Sequence, residues 1–259
     1  NVLGLEKLRS FFKEDFDFVA DHSANQILGQ KFSALLEELD QTNKQVIFTM
    51  GKGGVGKTTL AAALALGLAK KGKKVHLTTT DPAAHLSYVI DQSANIEISR
   101  IDEKDELEKY QNEVLTKARQ TMNESDIAYI EEDLRSPCTQ EIAVFRAFAE
   151  IVEKAEDQVV IIDTAPTGHT LLLLDSTQSY HREVERTKGE IPVSVQNLLP
   201  RLRDKEQTEV IIVTLPEATP VFEAERLQED LKRAEIPSHW WMINQSLSTP
   251  ATTSPMLMA

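Results

Sequence analysis

The architecture of this chain is set chiefly by a glycine-rich stretch near residue 50. The short apolar run Val46–Phe48 leads into Gly-Lys-Gly-Gly-Val-Gly-Lys-Thr-Thr at residues 51–59, and an Ala- and Leu-rich helix is predicted from Leu60 to Lys70. The first eight residues of the stretch fit the pattern G-x-x-x-x-G-K-[ST]. A buried strand, a glycine loop and a helix N-terminus therefore follow one another in the order that a phosphate-binding loop requires. The pattern predicts a nucleotide-binding site, the alternative being an ordinary glycine-rich turn before a helix.

The residue types of this loop match the tasks of phosphate binding. Glycines allow the backbone to curl so that its N–H groups point at phosphate oxygens, and the helix N-terminus adds partial positive charge. Lys57 is predicted to reach the β- and γ-phosphates, and the Thr58 hydroxyl is predicted to bind Mg²⁺. The predicted nucleotide-binding residues of the loop are Gly51, Gly53, Gly54, Val55, Gly56, Lys57, Thr58 and Thr59.

A second lysine, Lys52, follows the first glycine of the loop. The resulting sequence resembles the deviant Walker A loop of a group of dimerising ATPases. This group includes arsenite-pump, tail-anchored-protein targeting, cell-division-site and partition ATPases. The resemblance implies that Lys52 also reaches the nucleotide, often across a dimer interface. The alternative is a solvated surface lysine.

Composition and charge narrow the classes of function. The 259 residues suffice for one large domain with a sizeable core. With 41 acidic against 28 basic residues the net charge is −13, so we expect no nucleic-acid partner. The single cysteine rules out an intrachain disulfide and is typical of a reducing cytosol. No run approaches the ~18 apolar residues of a membrane span, and we expect a cytoplasmic protein.

Predicted strands and helices alternate along the chain, which indicates an α/β fold with a doubly wound, mostly parallel sheet. Besides the strand at 45–50, strands are predicted at 73–80, 95–101, 158–163, 209–214 and 239–244. Helices are predicted near 102–122, 127–134, 137–155, 170–186, 193–203 and 218–234.

The domain organisation follows from this order of elements. Residues 1–44 are interpreted as a linker with two short helices, and the P-loop domain is expected at 45–259. Residues 102–157 are interpreted as a helical insertion. The third helix of the insertion carries an apolar face, which we interpret as core packing: Ile142, Phe145, Ala149 and Val152.

Two predicted strands end in an aspartate. Asp163 ends the apolar run that begins at Gln158, which is the Walker B pattern, and such an aspartate holds Mg²⁺ directly or through a water molecule. A carboxylate that caps the following helix is the alternative, and the two roles are compatible. Asp81 lies at the carboxyl end of the second strand, where ligands bind in open α/β sheets. Its alternative is a turn residue before Pro82.

Several stretches together resemble one family, the arsenical pump-driving ATPases, and in particular the second half of such a protein. They are residues 51–59, 80–85, 136–145, 163–175 and 213–217, and the likeness covers roughly 45–255. In that family two similar ATPase halves, joined by a linker, form one polypeptide. The resemblance implies that residues 1–12 are the tail of a preceding half. It also implies that the stretch after Ser248 belongs to a half whose final portion is missing.

The resemblance implies roles for particular side chains. Lys52, Lys57 and Asp81 would be the catalytic residues, and Asp81 would orient or activate the attacking water. Asn244 would read the adenine edge, because an asparagine amide can donate and accept at once. A turn or capping asparagine is the alternative for Asn244.

The resemblance also implies a metalloid site. Cys138 corresponds to the metalloid-binding cysteine of the family, and Ser136 and His169 correspond to weaker ligand positions. Trivalent arsenic and antimony are thiophilic, so a thiolate ligand is expected. A lone cysteine is otherwise more often a small buried core residue. One thiolate alone is a poor binding site for As(III), so the other ligands would come from another half or subunit. Metalloid binding would then close the interface between the two.

These inferences lead to one predicted function. The protein would hydrolyse ATP with Mg²⁺, be stimulated by As(III) or Sb(III), and energise a membrane efflux permease for arsenite and antimonite. The metalloid would be both allosteric ligand and substrate. The expected partners are a first ATPase half or second subunit, forming a dimer or pseudodimer, and the integral membrane permease. The cytoplasmic protein would bind peripherally at the inner face of the membrane through that permease.

The sequence leaves two alternatives to this function. A targeting factor for tail-anchored membrane proteins would use the 102–157 helices as a groove for an apolar helix. Such a factor typically carries a C-x-x-C zinc pair, whereas Cys138 is the only cysteine, and Met122 is the only methionine of the insertion. A partition or division-site ATPase is disfavoured by the acidic balance and the long insertion.

Overall fold

The structure of the protein is a computed structural model that describes residues 30–42, 44–81, 95–164 and 192–246. The chain forms two compact units, Lys31–Ser246 and a smaller one made of Asn1–Gln30 and Leu247–Ala259. Only Gln30 of the smaller unit is among the described residues. All the helices and strands given below belong to the larger unit.

The described strands form one six-stranded sheet in the order β3-β2-β4-β1-β5-β6. The strands are β1 Val46–Met50, β2 Val75–Thr79, β3 Ile96–Arg100, β4 Val159–Asp163, β5 Thr208–Thr214 and β6 Trp240–Ile243. Every pairing between neighbours is parallel. β1 is central, because Val46 pairs with Val160 on one side and with Thr208 on the other. The predicted doubly wound parallel α/β sheet is confirmed.

Seven α-helices accompany these strands within the described ranges. They are α1 Phe32–Gln41, α2 Lys57–Lys70, α3 Glu103–Thr121, α4 Glu124–Asp133, α5 Pro137–Glu153, α6 Val193–Arg203 and α7 Ala218–Arg233, with a short 3₁₀ turn at Lys154–Glu156. The helix predicted near 170–186 lies outside the described residues. None of the described helices combines the length and apolar character that crossing a membrane requires.

The start of α2 differs from the prediction. The sequence placed it at Leu60, whereas the helix begins at Lys57. The last residues of the glycine-rich motif, Lys57–Thr59, therefore form the first turn of the helix. This places the hydroxyl of Thr58 at the helix N-terminus, where backbone N–H groups lack intrahelical partners.

Side chains of the strands alternate between two apolar layers, as a pleated strand requires. Val46 and Phe48 of β1 belong to the layer that contains α5, α6 and α7, and Ile47 belongs to the layer that contains α1 and α2. The Phe48 ring stacks on that of Phe148 from α5, with centroids 5.7 Å apart. The apolar face predicted for α5 is buried in the first layer, which confirms its interpretation as core packing: Ile142, Phe145, Ala149 and Val152.

The helix α1 packs into the second layer. Leu35 is 0% exposed and Leu39 is 2% exposed. A Cβ atom on Gly67 of α2 would lie only 2.7 Å from Leu36, so the glycine allows the two helices to approach closely. The sequence placed these residues in a linker before a domain that begins at 45, whereas the larger compact unit begins at Lys31.

Candidate nucleotide-binding site

The glycine loop connects the end of β1 to the start of α2 and lies in close contact with β5 and with Asn244, which follows β6. Gly51 has φ +150°, and any Cβ atom there would collide with the carbonyl of Val213. Gly56 has φ +100°, and a Cβ atom there would collide with the amide nitrogen of Asn244. Both positions require glycine on conformational and steric grounds. The curled, glycine-dependent backbone predicted for this loop is therefore present.

Lys57 is largely buried within the loop. Its side chain is 6% exposed, and Nζ donates a hydrogen bond of 3.0 Å to the backbone carbonyl of Lys52. Burial lowers the pKa of Lys57, while the charges of Asp163 and Asp81 act to raise it. The ammonium group therefore sits in a desolvated position where nearby carboxylates favour its charge.

Asp163 lies beside the helix N-terminus and is 0% exposed. Its carboxylate accepts a 2.6 Å hydrogen bond from the hydroxyl of Thr58. The hydroxyls of Thr49 and Thr79 donate to the same carboxylate, each at 3.3 Å. Burial raises the pKa of Asp163, and the Thr58 hydrogen bond and the Lys57 charge oppose that rise. A hydroxyl and a carboxylate in contact are hard oxygen donors of the kind that Mg²⁺ prefers, so these residues fit such an ion.

Thr49 and Thr79 were not predicted as part of the site. Both pair with Asp163 across the parallel sheet, Thr49 from β1 and Thr79 from β2. A sequence signal exists, because each is a polar residue near the carboxyl end of a predicted strand. Using that signal requires knowing that β1 and β2 flank β4, which the local pattern does not show.

Asp81 follows β2 at the same edge of the sheet. Its backbone N–H donates a 3.0 Å hydrogen bond to the hydroxyl of Thr79, which also binds Asp163. The charge of Asp81 acts on the pKa of Lys57. The structure thus brings Lys57, Thr58, Asp81 and Asp163 together at one edge of the sheet.

Lys52 and Asn244 contact neighbouring elements. Nζ of Lys52 lies 3.1 Å from Oε1 of Glu223 in α7. The amide nitrogen of Asn244 donates to the carbonyl of Val55 at 2.9 Å, and its oxygen accepts from the N–H of Gln245 at 2.9 Å. Asn244 therefore holds the loop against the end of β6.

The predicted metalloid residues are only partly described. Ser136 caps α5, and its hydroxyl accepts from the N–H of Thr139 at 3.4 Å. Cys138 lies in the first turn of α5. Its side chain and the whole of His169 are not among the parts of the chain that the structure describes. Among the His, Cys, Asp and Glu side chains that the structure does describe, no group of three is placed to hold a metal ion.

Fold and site together define an α/β protein with a P-loop-like fold: a parallel sheet whose central strand leads through a glycine loop into a helix, with a buried aspartate on the adjacent strand. The sequence profile of the anion-transporting ATPases matches residues 44–198 and 189–258, and the chain belongs to this family.

Individual relatives agree with this assignment. The chain is 46% identical over 261 residues to an arsenical pump-driving ATPase of Escherichia coli, covering 99% of this chain and 45% of the relative. It is 50% identical over 226 residues to an arsenical pump-driving ATPase of Acidiphilium multivorum, covering 87% and 39%. The ATPase get3 of Schizosaccharomyces pombe is 26% identical over 260 residues, covering 85% and 79%. The chain spans less than half the length of the two arsenical relatives.

Proposed function

We propose that this chain is one ATPase half that binds and hydrolyses ATP with Mg²⁺. The observation that carries the proposal is the 2.6 Å contact between Thr58 and Asp163 at the N-terminus of α2, beside the buried Lys57. Phosphoryl transfer needs positioning and charge neutralisation more than covalent chemistry. A glycine loop, a helix N-terminus and a desolvated ammonium group supply both.

Each residue of the site has a proposed task. The loop residues Gly51–Thr59 cradle the phosphates, and Lys57 neutralises the β- and γ-phosphates. Thr58 and Asp163 would hold Mg²⁺, which supplies charge neutralisation and orientation of the phosphate oxygens. Asp81 orients the attacking water by accepting its hydrogen bond. Asn244, which holds Val55 in the present structure, would also contact the adenine edge.

The proposed stimulus is trivalent arsenic or antimony. The support is the identity of 46% and 50% to proteins named arsenical pump-driving ATPases, together with the position of Cys138 in the first turn of α5. A single thiolate does not satisfy As(III), so the proposal assigns the remaining ligands to a second half or subunit, with Ser136 and His169 as weaker ligands. His169 follows Asp163 by six residues along the chain, which would couple the metalloid to the nucleotide. Coupled in this way, the protein would drive an arsenite permease from the cytoplasmic face of the membrane.

The nucleotide part of the proposal is tested by binding a fluorescent ATP analogue in the presence of Mg²⁺. Lys57→Met should weaken binding roughly 10- to 100-fold, because a hydrogen bond to a charged group contributes about 1.5–3 kcal/mol. Lys70→Met at the exposed C-terminal end of α2 is the matched control and should bind like the original chain. Equal affinity for the original chain and Lys57→Met would exclude the loop as the phosphate site.

A targeting factor for apolar helices is the second candidate. The observations that favour it are the helix α4, which has no buried side chain, and Tyr129, which is 74% exposed. The similarity to the ATPase get3 is lower than to the arsenical relatives. Binding of an apolar transmembrane peptide that is lost in Tyr129→Asp, with hydrolysis unaffected by antimonite, would favour this function.

A further inference from the structure

The side chain of Lys52 is held by the helix α7 rather than by the loop to which the residue belongs. Its Nζ lies 3.1 Å from Oε1 of Glu223, and the side chains are 38% and 35% exposed. The backbone of Lys52 is fixed separately, because its carbonyl accepts a 3.0 Å hydrogen bond from Lys57. The side chain can therefore change partner while the backbone stays in the loop.

The geometry of the sheet brings the two residues together. The loop begins at Gly51, whose backbone lies against the carbonyl of Val213 near the end of β5. α7 follows β5 after a connection of three residues, and Glu223 is the sixth residue of that helix. The first two turns of α7 therefore run beside the start of the loop, which brings the Glu223 carboxylate within reach of Lys52.

The charges near the loop imply that the Lys52–Glu223 contact competes with phosphate binding. Two ammonium groups, those of Lys52 and Lys57, belong to a loop of the kind that binds phosphate. The charges of Asp163 and Asp81 act on Lys57, and the carboxylate of Glu223 is paired with Lys52. A carboxylate and a phosphate are competing acceptors for one ammonium group.

We propose that Glu223 is a positioning residue that holds Lys52 while no nucleotide is bound and yields it to the phosphates when nucleotide binds. The proposal rests on the proposed function, because it requires that the loop binds ATP. Glu223 then lowers the affinity for ATP by the free energy of the broken ion pair. Because Glu223 belongs to α7, nucleotide binding at the loop would also remove a contact between the loop and α7.

The test is Glu223→Gln, which keeps the shape of the side chain and removes its charge. Partly exposed ion pairs contribute little, so the variant should bind the fluorescent ATP analogue about two- to fivefold more tightly. KM for ATP should fall by a similar factor, and kcat should stay within about twofold. The gain should shrink at high ionic strength, where the pair is screened. Glu225→Gln, on the same helix and exposed, is the matched control and should change nothing.

A second comparison separates this role from a purely structural one. In a Lys52→Gln background the substitution Glu223→Gln should have no effect on ATP affinity, because the group it releases is gone. If Glu223→Gln alone leaves the affinity for ATP unchanged or weakens it, the inference is overturned. It is also overturned if Glu223→Gln raises the affinity for ATP by the same factor in the Lys52→Gln background. In either case the proposed function stands if the original chain binds ATP and Lys57→Met binds it more weakly by the predicted factor. Failure of the original chain to bind ATP overturns both.

Discussion

At the scale of single residues, Asp163 is the point where three elements of the site meet. Threonine hydroxyls from β1, α2 and β2 donate to its carboxylate, and it is fully buried. The buried charge costs free energy that the hydroxyls and Lys57 offset only in part, which is why the pKa of Asp163 is raised. A bound cation would stabilise the negative charge of this buried carboxylate, which water does not reach.

The raised pKa of Asp163 predicts a particular pH dependence of stability. The folded pKa lies above the unfolded value of about 3.8, so the folded chain binds more protons than the unfolded chain between those two values. The stability that this group contributes is therefore fully present below the unfolded pKa and is lost as pH rises through the folded pKa. Relative to Asp163→Asn, the original chain should become more stable as pH falls through the folded pKa. Urea unfolding of both proteins between pH 7.5 and about pH 4 measures this difference.

The comparison with Asp163→Asn cancels the titration of the other carboxylates. Asp126→Asn, at an exposed position in α4, is the matched control for loss of one aspartate. A difference in unfolding free energy between the original chain and Asp163→Asn that stays constant with pH would contradict the assigned burial. Asp163→Asn should also lose Mg²⁺-dependent ATP hydrolysis at every pH.

At the scale of elements, α1 shows how packing defines the domain. The helix precedes the first strand and carries no catalytic residue, yet Leu35 and Leu39 are buried against α2. α2 in turn begins at Lys57, so α1 supports the helix whose N-terminus forms the phosphate site. The domain in this structure therefore includes a helix that the sequence pattern assigned to a linker.

This packing predicts the effect of shortening a buried side chain. Leu35→Ala should lower the free energy of unfolding by about 2–5 kcal/mol, through lost burial and the cavity that remains. The chain should still unfold in one transition that includes the sheet. Urea unfolding followed by circular dichroism measures both quantities, with the exposed Glu37→Ala as control. If Leu35→Ala changes stability by less than about 0.5 kcal/mol, α1 is not part of the cooperative unit.

Local patterns predicted most of the elements and the central part of the site. The loop, Lys57 and Thr58 follow from spacing, because a strand, a glycine turn and a helix start are contiguous in the chain. Asp163 follows from the separate pattern of an apolar run that ends in an aspartate. The contacts of Thr49, Thr79 and Glu223 were missed, since each depends on which elements become neighbours in the sheet. The predicted start of α2 is about one turn late, because Lys57–Thr59 belong to the glycine-rich motif and were therefore assigned to the loop.

At the scale of the whole molecule, the candidate site lies along the carboxyl edge of the sheet. Gly51 follows β1, Asp81 follows β2, Asp163 ends β4 and Asn244 follows β6. Four strands thus contribute to a single edge, where ligands bind in open α/β sheets. The predicted metalloid residues carry the part of the proposal that depends on a second half or subunit.

The most direct measurement of the proposed function is steady-state ATP hydrolysis with and without antimonite. The chain is joined for this purpose to the other half of an arsenical pump-driving ATPase, and Cys138→Ser is measured beside it. We expect antimonite to accelerate hydrolysis, and Cys138→Ser to raise the antimonite concentration needed for half of the maximal effect. If neither antimonite nor Cys138→Ser changes the rate of ATP hydrolysis, the proposed function is contradicted, because Cys138 would then have no part in a metalloid site.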